Sequence, residues 1–121
     1  MIELAGCRIL KEGKTLLLHR KEHEHWELPG GAIEEGDGMR ETAIREASEE
    51  IGCEVKIKEY LGYTDFEIKG MGMRSHQFSA EIVKGEPKIN EPELFDGIEY
   101  IDLKGDKNLA PNIVKEEELI K

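Results

Sequence analysis

Leu28-Pro29-Gly30-Gly31-Ala32-Ile33-Glu34-Glu35-Gly36-Asp37-Gly38 runs directly into Met39-Arg40-Glu41-Thr42-Ala43-Ile44-Arg45-Glu46-Ala47-Ser48-Glu49-Glu50-Ile51-Gly52-Cys53. The first part is punctuated by glycine, which permits left-handed backbone and close approach of a ligand or a neighbouring segment. From Gly38 to Ile51 there is no Pro and no internal Gly, and Gly52 is a helix stop signal. Met39, Ala43, Ala47 and Ile51 recur at every fourth position, predicting a helix with one apolar stripe turned to the core. A second face carries Glu46, Glu49 and Glu50 at i, i+3 and i+4, within an arc of about 100°. Like charges so spaced destabilise an isolated helix by roughly a few tenths of a kcal/mol per pair. Their place near the helix C-terminus also opposes the macrodipole. A hard divalent cation such as Mg²⁺, which takes oxygen ligands, removes that cost. On the glutamates alone the plain alternative is a solvated acidic face, with Arg45 partly neutralising Glu49 at i+4.

Working outward, Ile2 to Leu10 mixes apolar and polar residues in strand fashion and ends at the turn signal Lys11-Glu12-Gly13-Lys14. Leu16-Leu17-Leu18 continues as a buried strand, so a hairpin is expected. Lys21 to His25 reads as a loop, and Trp26-Glu27-Leu28 as a short strand stopped by Pro29-Gly30-Gly31. After the helix, Val55 to Ile68 and Arg74 to Val83 read as two longer strands parted by a flexible Gly70-Met71-Gly72. Gly85-Glu86-Pro87 marks a turn, Phe95 to Leu103 a further strand, and Asn112 to Lys121 a short helix. Strands before and after one long helix predict an α+β fold with a mixed sheet covered by helices. With no repeat or low-complexity linker, the expectation is a single domain over residues 1–121.

The run Gly31, five residues, Asp37, seven residues, then Arg45-Glu46-Ala47-Ser48-Glu49-Glu50-Ile51-Gly52-Cys53 resembles the signature of the Nudix hydrolases. The family pattern has Gly, five residues, Glu, seven residues, and then Arg-Glu-aliphatic-any-Glu-Glu-any-Gly-aliphatic. Leu28-Pro29-Gly30-Gly31 is similar to the usual entry to that box. Asp37 stands where the family has Glu, and Ala47 and Cys53 take aliphatic positions; all three box glutamates of the helix are present. The resemblance implies a Nudix-type α/β/α sandwich, a mixed central sheet with the catalytic loop and helix packed on it. It implies attack of water on the diphosphate bridge of a nucleoside diphosphate linked to another moiety. Under it Glu46, Glu49 and Glu50, with Gly31, are the expected ligands of Mg²⁺ or Mn²⁺, and Arg45 orients or neutralises them. The backbone of Gly31 and Ala32 would lie beside the metal-bound phosphates, with Glu34 assisting.

In many relatives the general base is a glutamate on a loop after the central strands. Asn90-Glu91-Pro92-Glu93 is that loop here, and Glu93 is favoured over Glu91; in the other reading both are surface acids and a box glutamate takes the proton. Arg20 matches a position where relatives place a phosphate-contacting base, against the alternative of a surface salt bridge. His23 and His25 have the spacing of transition-metal ligands but lack a third partner, so they are expected to be exposed loop histidines. Trp26 is expected to pack against the box. Tyr63, Phe66 and Phe78 are expected in the core, with one of them available as an aromatic wall for a base.

Composition bounds the partners. With 27 Asp+Glu against 17 Lys+Arg, the 121 residues carry a net charge of −10, which argues against long nucleic acids and anionic membranes. The box from Gly31 to Cys53 holds seven acids against Arg40 and Arg45, a local −5. Half of the acidity thus sits where carboxylates would hold the cations that hold a small nucleotide. No apolar run reaches the ~18 residues of a membrane span, and the N-terminus lacks a signal peptide's pattern. Two lone cysteines, Cys7 and Cys53, then read as reduced thiols of a cytoplasmic protein. The expected substrate is a nucleoside or deoxynucleoside triphosphate, converted to monophosphate and pyrophosphate. The alternatives are ADP-ribose or a nucleoside diphosphate sugar, and, in a different class, a Nudix-fold nucleotide sensor without catalysis. Monomer and homodimer both remain open.

Overall fold

A computed structural model describes residues 1–121. The chain opens with β1 (Ile2–Lys11) and β2 (Lys14–Arg20), paired antiparallel through Leu10↔Thr15 and Lys11↔Lys14. Glu12 (φ 52°) and Gly13 (φ 79°) make the turn, both in the left-handed region that matches the twist of a tight hairpin. β3 (His25–Glu27) returns along β2, and β4 (Gly30–Ala32) lies antiparallel on β1. The helix α1 (Met39–Ile51) is followed by β5 (Glu54–Ile68), β6 (Met71–Lys84) and β7 (Phe95–Ile101). β6 joins β1 in parallel, completing a mixed seven-stranded sheet of order β3-β2-β1-β6-β5, with β4 on β1 and β7 on β2.

α1 packs on one face of this sheet. Ala43, Ala47 and Ile51 are fully buried against Cys7, Ile9, Phe78 and Ala80. Each large side chain sealed there contributes about 1.5–3 kcal/mol of transfer free energy. Met39, the first residue of the expected stripe, is instead 37% exposed; Thr42 is buried and bonds back to the Gly38 carbonyl. Cys7 and Cys53 are both free thiols in this layer, and burial, with Glu50 nearby, pushes the Cys7 thiol up to about 12.

The opposite face carries alternate residues of the same strands, with an apolar cluster around Leu17, Leu28 and Ile101 beside buried polar groups. Arg8, Ser75 and Gln77 are buried there under residues 108–121, which cross the sheet as a strap. Asn108 and Ala110 bond to the Trp26 backbone, Gln77 Nε2 donates to the Asn112 carbonyl, and Ile120 exchanges both backbone bonds with Tyr63. Because its backbone groups pair with the sheet, this segment is extended rather than the expected helix over 112–121. Only Glu116–Glu118 form a 3-10 turn. Two further expectations are corrected. Gly30–Ala32 is strand, not loop, and Gly70 is the second corner of a tight turn (Lys69 φ 52°, Gly70 φ 80°) that leaves Met71 and Gly72 within β6. No helix is long and apolar enough to cross a membrane.

Candidate active site

The site begins with a close approach of two backbones. A Cβ on Gly30 would lie 2.8 Å from the Gly6 Cα, and one on Gly6 would lie 2.7 Å from the Pro29 carbonyl oxygen, so only glycine lets β4 settle on β1. This brings β4 under the acidic face of α1. Glu50, 3% exposed, accepts the Gly30 N–H at 2.8 Å through Oε1. Burial pushes its carboxyl up to about 9; Glu46 and Glu27 add to the rise, while the Gly30 amide and Arg20 work against it. Glu46 lies one turn earlier with its carboxyl over Gly31, where a Cβ would come within 2.5 Å of Glu46 Cδ. Burial first, then Glu49, raises the Glu46 pKa, against the pull of Arg45. Glu49 stands further out, its side chain 51% exposed.

Arg45 ties these groups together. Nη1 donates to Asp37 Oδ2 at 2.6 Å, while Glu46 and Glu49 each lie 3.6 Å from another of its nitrogens. Asp37, the residue that departs from the box pattern, therefore anchors the guanidinium between two carboxylates. The shorter side chain still reaches because the loop tightens before the helix, with Asp37 N–H bonded to the Glu34 carbonyl. Glu34 itself is exposed and acts on Arg45 only through its charge.

A cavity of about 270 Å³ opens beside β4, between the ends of β2 and β3, the β5–β6 ribbon and the strap. Gly31 and Ala32 form one wall, and Arg20, His23, His25 and Glu27 another. Arg20 grips both Glu27 oxygens through Nε at 2.9 and 3.0 Å and stacks over Phe95. His25 is only 9% exposed and holds Glu27 Oε2 at 2.9 Å, so it is a buried cavity residue rather than an exposed loop histidine. Glu27 was not singled out from the sequence. The signal is the β2–β3 register, which places His25 opposite Arg20 and brings Glu27 beside both. Of the three aromatics, Phe78 is core, Phe66 lines the cavity, and Tyr63 lies half-buried under Arg74. Trp26 packs with Leu17 and Leu28 at the rear of the box.

The loop after β6 reaches the same face. Asn90 bonds through its amide nitrogen to the Glu49 carbonyl and through its backbone N–H to the Glu50 carbonyl. Glu91 follows half-buried, its pKa raised by burial, by Glu93 and by Glu49. Glu93, favoured from the sequence, is exposed, whereas Glu91 is half-buried and feels the Glu49 charge. The donors suit a hard divalent cation, and a buried carboxyl raised this far is one that a cation would stabilise. No three acid, histidine or cysteine side chains converge on one point. Mg²⁺ needs no such cage, since it is commonly held by one or two carboxylates, waters and substrate phosphates.

A family model described as NUDIX domain matches residues 4–115. The chain is 30% identical over 95 residues to a CTP pyrophosphohydrolase of Escherichia coli (strain K12), covering 75% of this chain and 70% of that protein. It is 35% identical over 97 residues to an ADP-ribose pyrophosphatase of Methanocaldococcus jannaschii, taking in 73% of this chain but 57% of that one. Among solved structures, a MutT NUDIX hydrolase from Burkholderia pseudomallei superposes with a TM-score of 0.84 at 25% identity, over 91% of this chain and 90% of the other.

Proposed function

This chain belongs to the Nudix hydrolase family, and from that premise we propose that it is a metal-dependent pyrophosphohydrolase of nucleoside or deoxynucleoside triphosphates. We take residues 1–121 as one such domain, with Mg²⁺ or Mn²⁺ as cofactor and a small nucleotide as its partner. The observation that carries the reading is the pairing of the box with β4. Glu50 is buried on the Gly30 amide and Glu46 closes over Gly31, and both glycines line the adjoining cavity. Glu46, Glu49 and Glu50, with the Gly31 carbonyl, would hold the metal, whose contribution when bound is to neutralise the diphosphate and acidify the attacking water.

The remaining roles belong to the chain's own groups. Arg45 keeps Glu46 and Glu49 together while Asp37 keeps Arg45 in place. Gly31 and Ala32 offer backbone without bulk to the phosphates, and Glu34 adds negative charge at the loop. Arg20, held by Glu27 at the cavity wall, meets the anionic end of the substrate. Glu91, facing the helix acids, takes the proton of the attacking water; Glu93 supports it through charge. Water oxygen bonds to one phosphorus of the α–β bridge as the bridging P–O bond breaks. The bridging oxygen leaves on the other product, so monophosphate and pyrophosphate form with one water consumed, and the proton taken up by the glutamate returns to solvent.

A second substrate reading, ADP-ribose, is supported by the 35% identity to the archaeal ADP-ribose pyrophosphatase. One panel separates the two: CTP, dCTP, 8-oxo-dGTP and ADP-ribose with Mg²⁺, scored for pyrophosphate and for AMP. Pyrophosphate from triphosphates, lost in chelator and reduced at least a hundredfold in Glu50→Gln, is the expected result. AMP from ADP-ribose alone moves the assignment to the second reading. Undiminished hydrolysis by Glu50→Gln in chelator rejects the mechanism.

A further inference from the structure

Arg8 is the chain's most unusual charge. It sits in the middle of β1 between Cys7 and Ile9, is only 5% exposed, and points to the sheet face away from the catalytic helix. A guanidinium stays charged at any ordinary pH, and burying one without an opposite charge is costly. Its hydrogen bonds nevertheless go only to neutral oxygens: Nε to Gln77 Oε1 at 2.7 Å and Nη2 to the Val114 carbonyl at 2.7 Å. No carboxylate comes within 4.0 Å of it. Nη1 has no partner in the protein, yet no buried polar side-chain atom is sealed off without one. The small accessible part of Arg8 therefore opens onto the cavity that it lines.

That cavity measures about 520 Å³, within the range of small-molecule sites. The exposed Lys104 and Lys115 line it together with Arg8, and Leu103, Leu109 and Ile113 supply an apolar wall. Glu116 and Glu117 line it too, and Glu116 acts on Arg8 from beyond contact distance. Three cationic groups of different depth beside an apolar wall suit a ligand with an anionic head and an apolar body. A planar guanidinium with free N–H groups favours phosphate or carboxylate oxygens, and two added lysines favour the doubly charged phosphate.

We propose that the cavity between β1 and the strap is a second ligand site, separate from the catalytic cleft, that takes a phosphate monoester with an apolar or aromatic body. The phosphate meets Arg8, Lys104 and Lys115, and the body lies on Leu109 and Ile113. The strap is common to both cavities, since Ala110 and Asn112 line the catalytic one. A hydrogen-bonded chain runs from Arg8 through Gln77 to Asn112 and on to Ser75. This chain gives a route by which occupation of the site would alter the wall of the other, an effect that linkage would make reciprocal.

The test is titration of the metal-free protein with phenyl phosphate, followed by amide NMR in chelator so that the catalytic face has no cation to bridge to phosphate. Saturable binding in the millimolar range is expected, with shifts at residues 8, 103–104 and 109–117, and at least tenfold weaker binding in Lys104→Ala/Lys115→Ala. Arg8 variants risk misfolding, so the second arm is Glu116→Gln/Glu117→Gln, which should tighten binding severalfold. Shifts confined to residues 30–32 and 46–50, equal affinity in both double variants, or the same response to sodium chloride would overturn the site. Absence of any shift at Asn112 on saturation would refute the coupling. None of these outcomes depends on hydrolysis, so the proposal stands or falls apart from the catalytic reading.

Discussion

Glu50 illustrates how much one residue carries. Its carboxyl is raised to about 9 in the folded chain, against an ordinary value of 4.5 that applies once it is unfolded. Between those two values the folded state holds a proton that the unfolded state has released. Stability therefore falls as pH rises across that window, by up to about 1.4 kcal/mol per pH unit for one proton. In chelator the wild type is expected to lose stability from pH 5 to pH 8 more steeply than Glu50→Gln, as read by urea midpoints. Saturating Mg²⁺ should flatten the wild-type slope and leave the variant's unchanged; equal slopes in chelator would refute the account. Asp37 offers a second check at this scale. Asp37→Asn removes the charge that holds Arg45 and should lower kcat/KM about tenfold, whereas Asp37→Glu should restore most of it, as a positioning role requires.

At the scale of elements, β4 and α1 form one device. The strand has only three residues, and it exists because Gly30 meets Gly6 and Gly31 meets the Glu46 carboxyl without side chains between them. The two glycines are expected to fail differently. In Gly30→Ala the new methyl meets backbone at 2.6 Å, which cannot move without unpairing β4, so a stability loss of about 2 kcal/mol or more is expected in thermal or urea unfolding. In Gly31→Ala the methyl meets the movable end of Glu46, so stability should hold while activity falls tenfold or more. The reverse pattern would show that β4 is not the support of the box. Residue periodicity was enough to place α1, β1 and β2, because the signals for them are local. It was not enough for Gly30–Ala32, whose strand character depends on a glycine 24 residues earlier in the chain. The acidic face formed by Glu46, Glu49 and Glu50 was legible from its spacing. The place of Glu27 and His25 in the cavity wall was not, because cross-strand register brings them there.

Across the whole molecule, the two faces of the sheet are held by different physics. The α1 face is an apolar layer in which Phe78 and Ile51 are sealed from water. The strap face adds to a small apolar cluster, Leu17, Leu28 and Ile101 against Leu109 and Ile113, directed bonds through Arg8, Gln77, Ser75 and Asn112. That difference explains why the tail misleads as sequence. Its charged run reads as a solvated helix, while its backbone is committed to partners on strands 35 or more residues away. The polar layer should therefore be intolerant of a change that an apolar core would accept. Gln77→Leu is close in volume and fully buried, but it strips the acceptor from Arg8 Nε and the donor from the Asn112 carbonyl. Each orphaned group costs about 1–3 kcal/mol, and more where a charge is left unmatched. The expected loss is at least about 2 kcal/mol in urea unfolding, with faster amide exchange at residues 109–120. Phe78→Leu should cost a similar amount through its cavity alone and leave exchange in the strap unchanged. If Gln77→Leu is neutral, the strap is held by its apolar contacts with Leu17, Leu28 and Ile101, and the polar network is incidental to the fold.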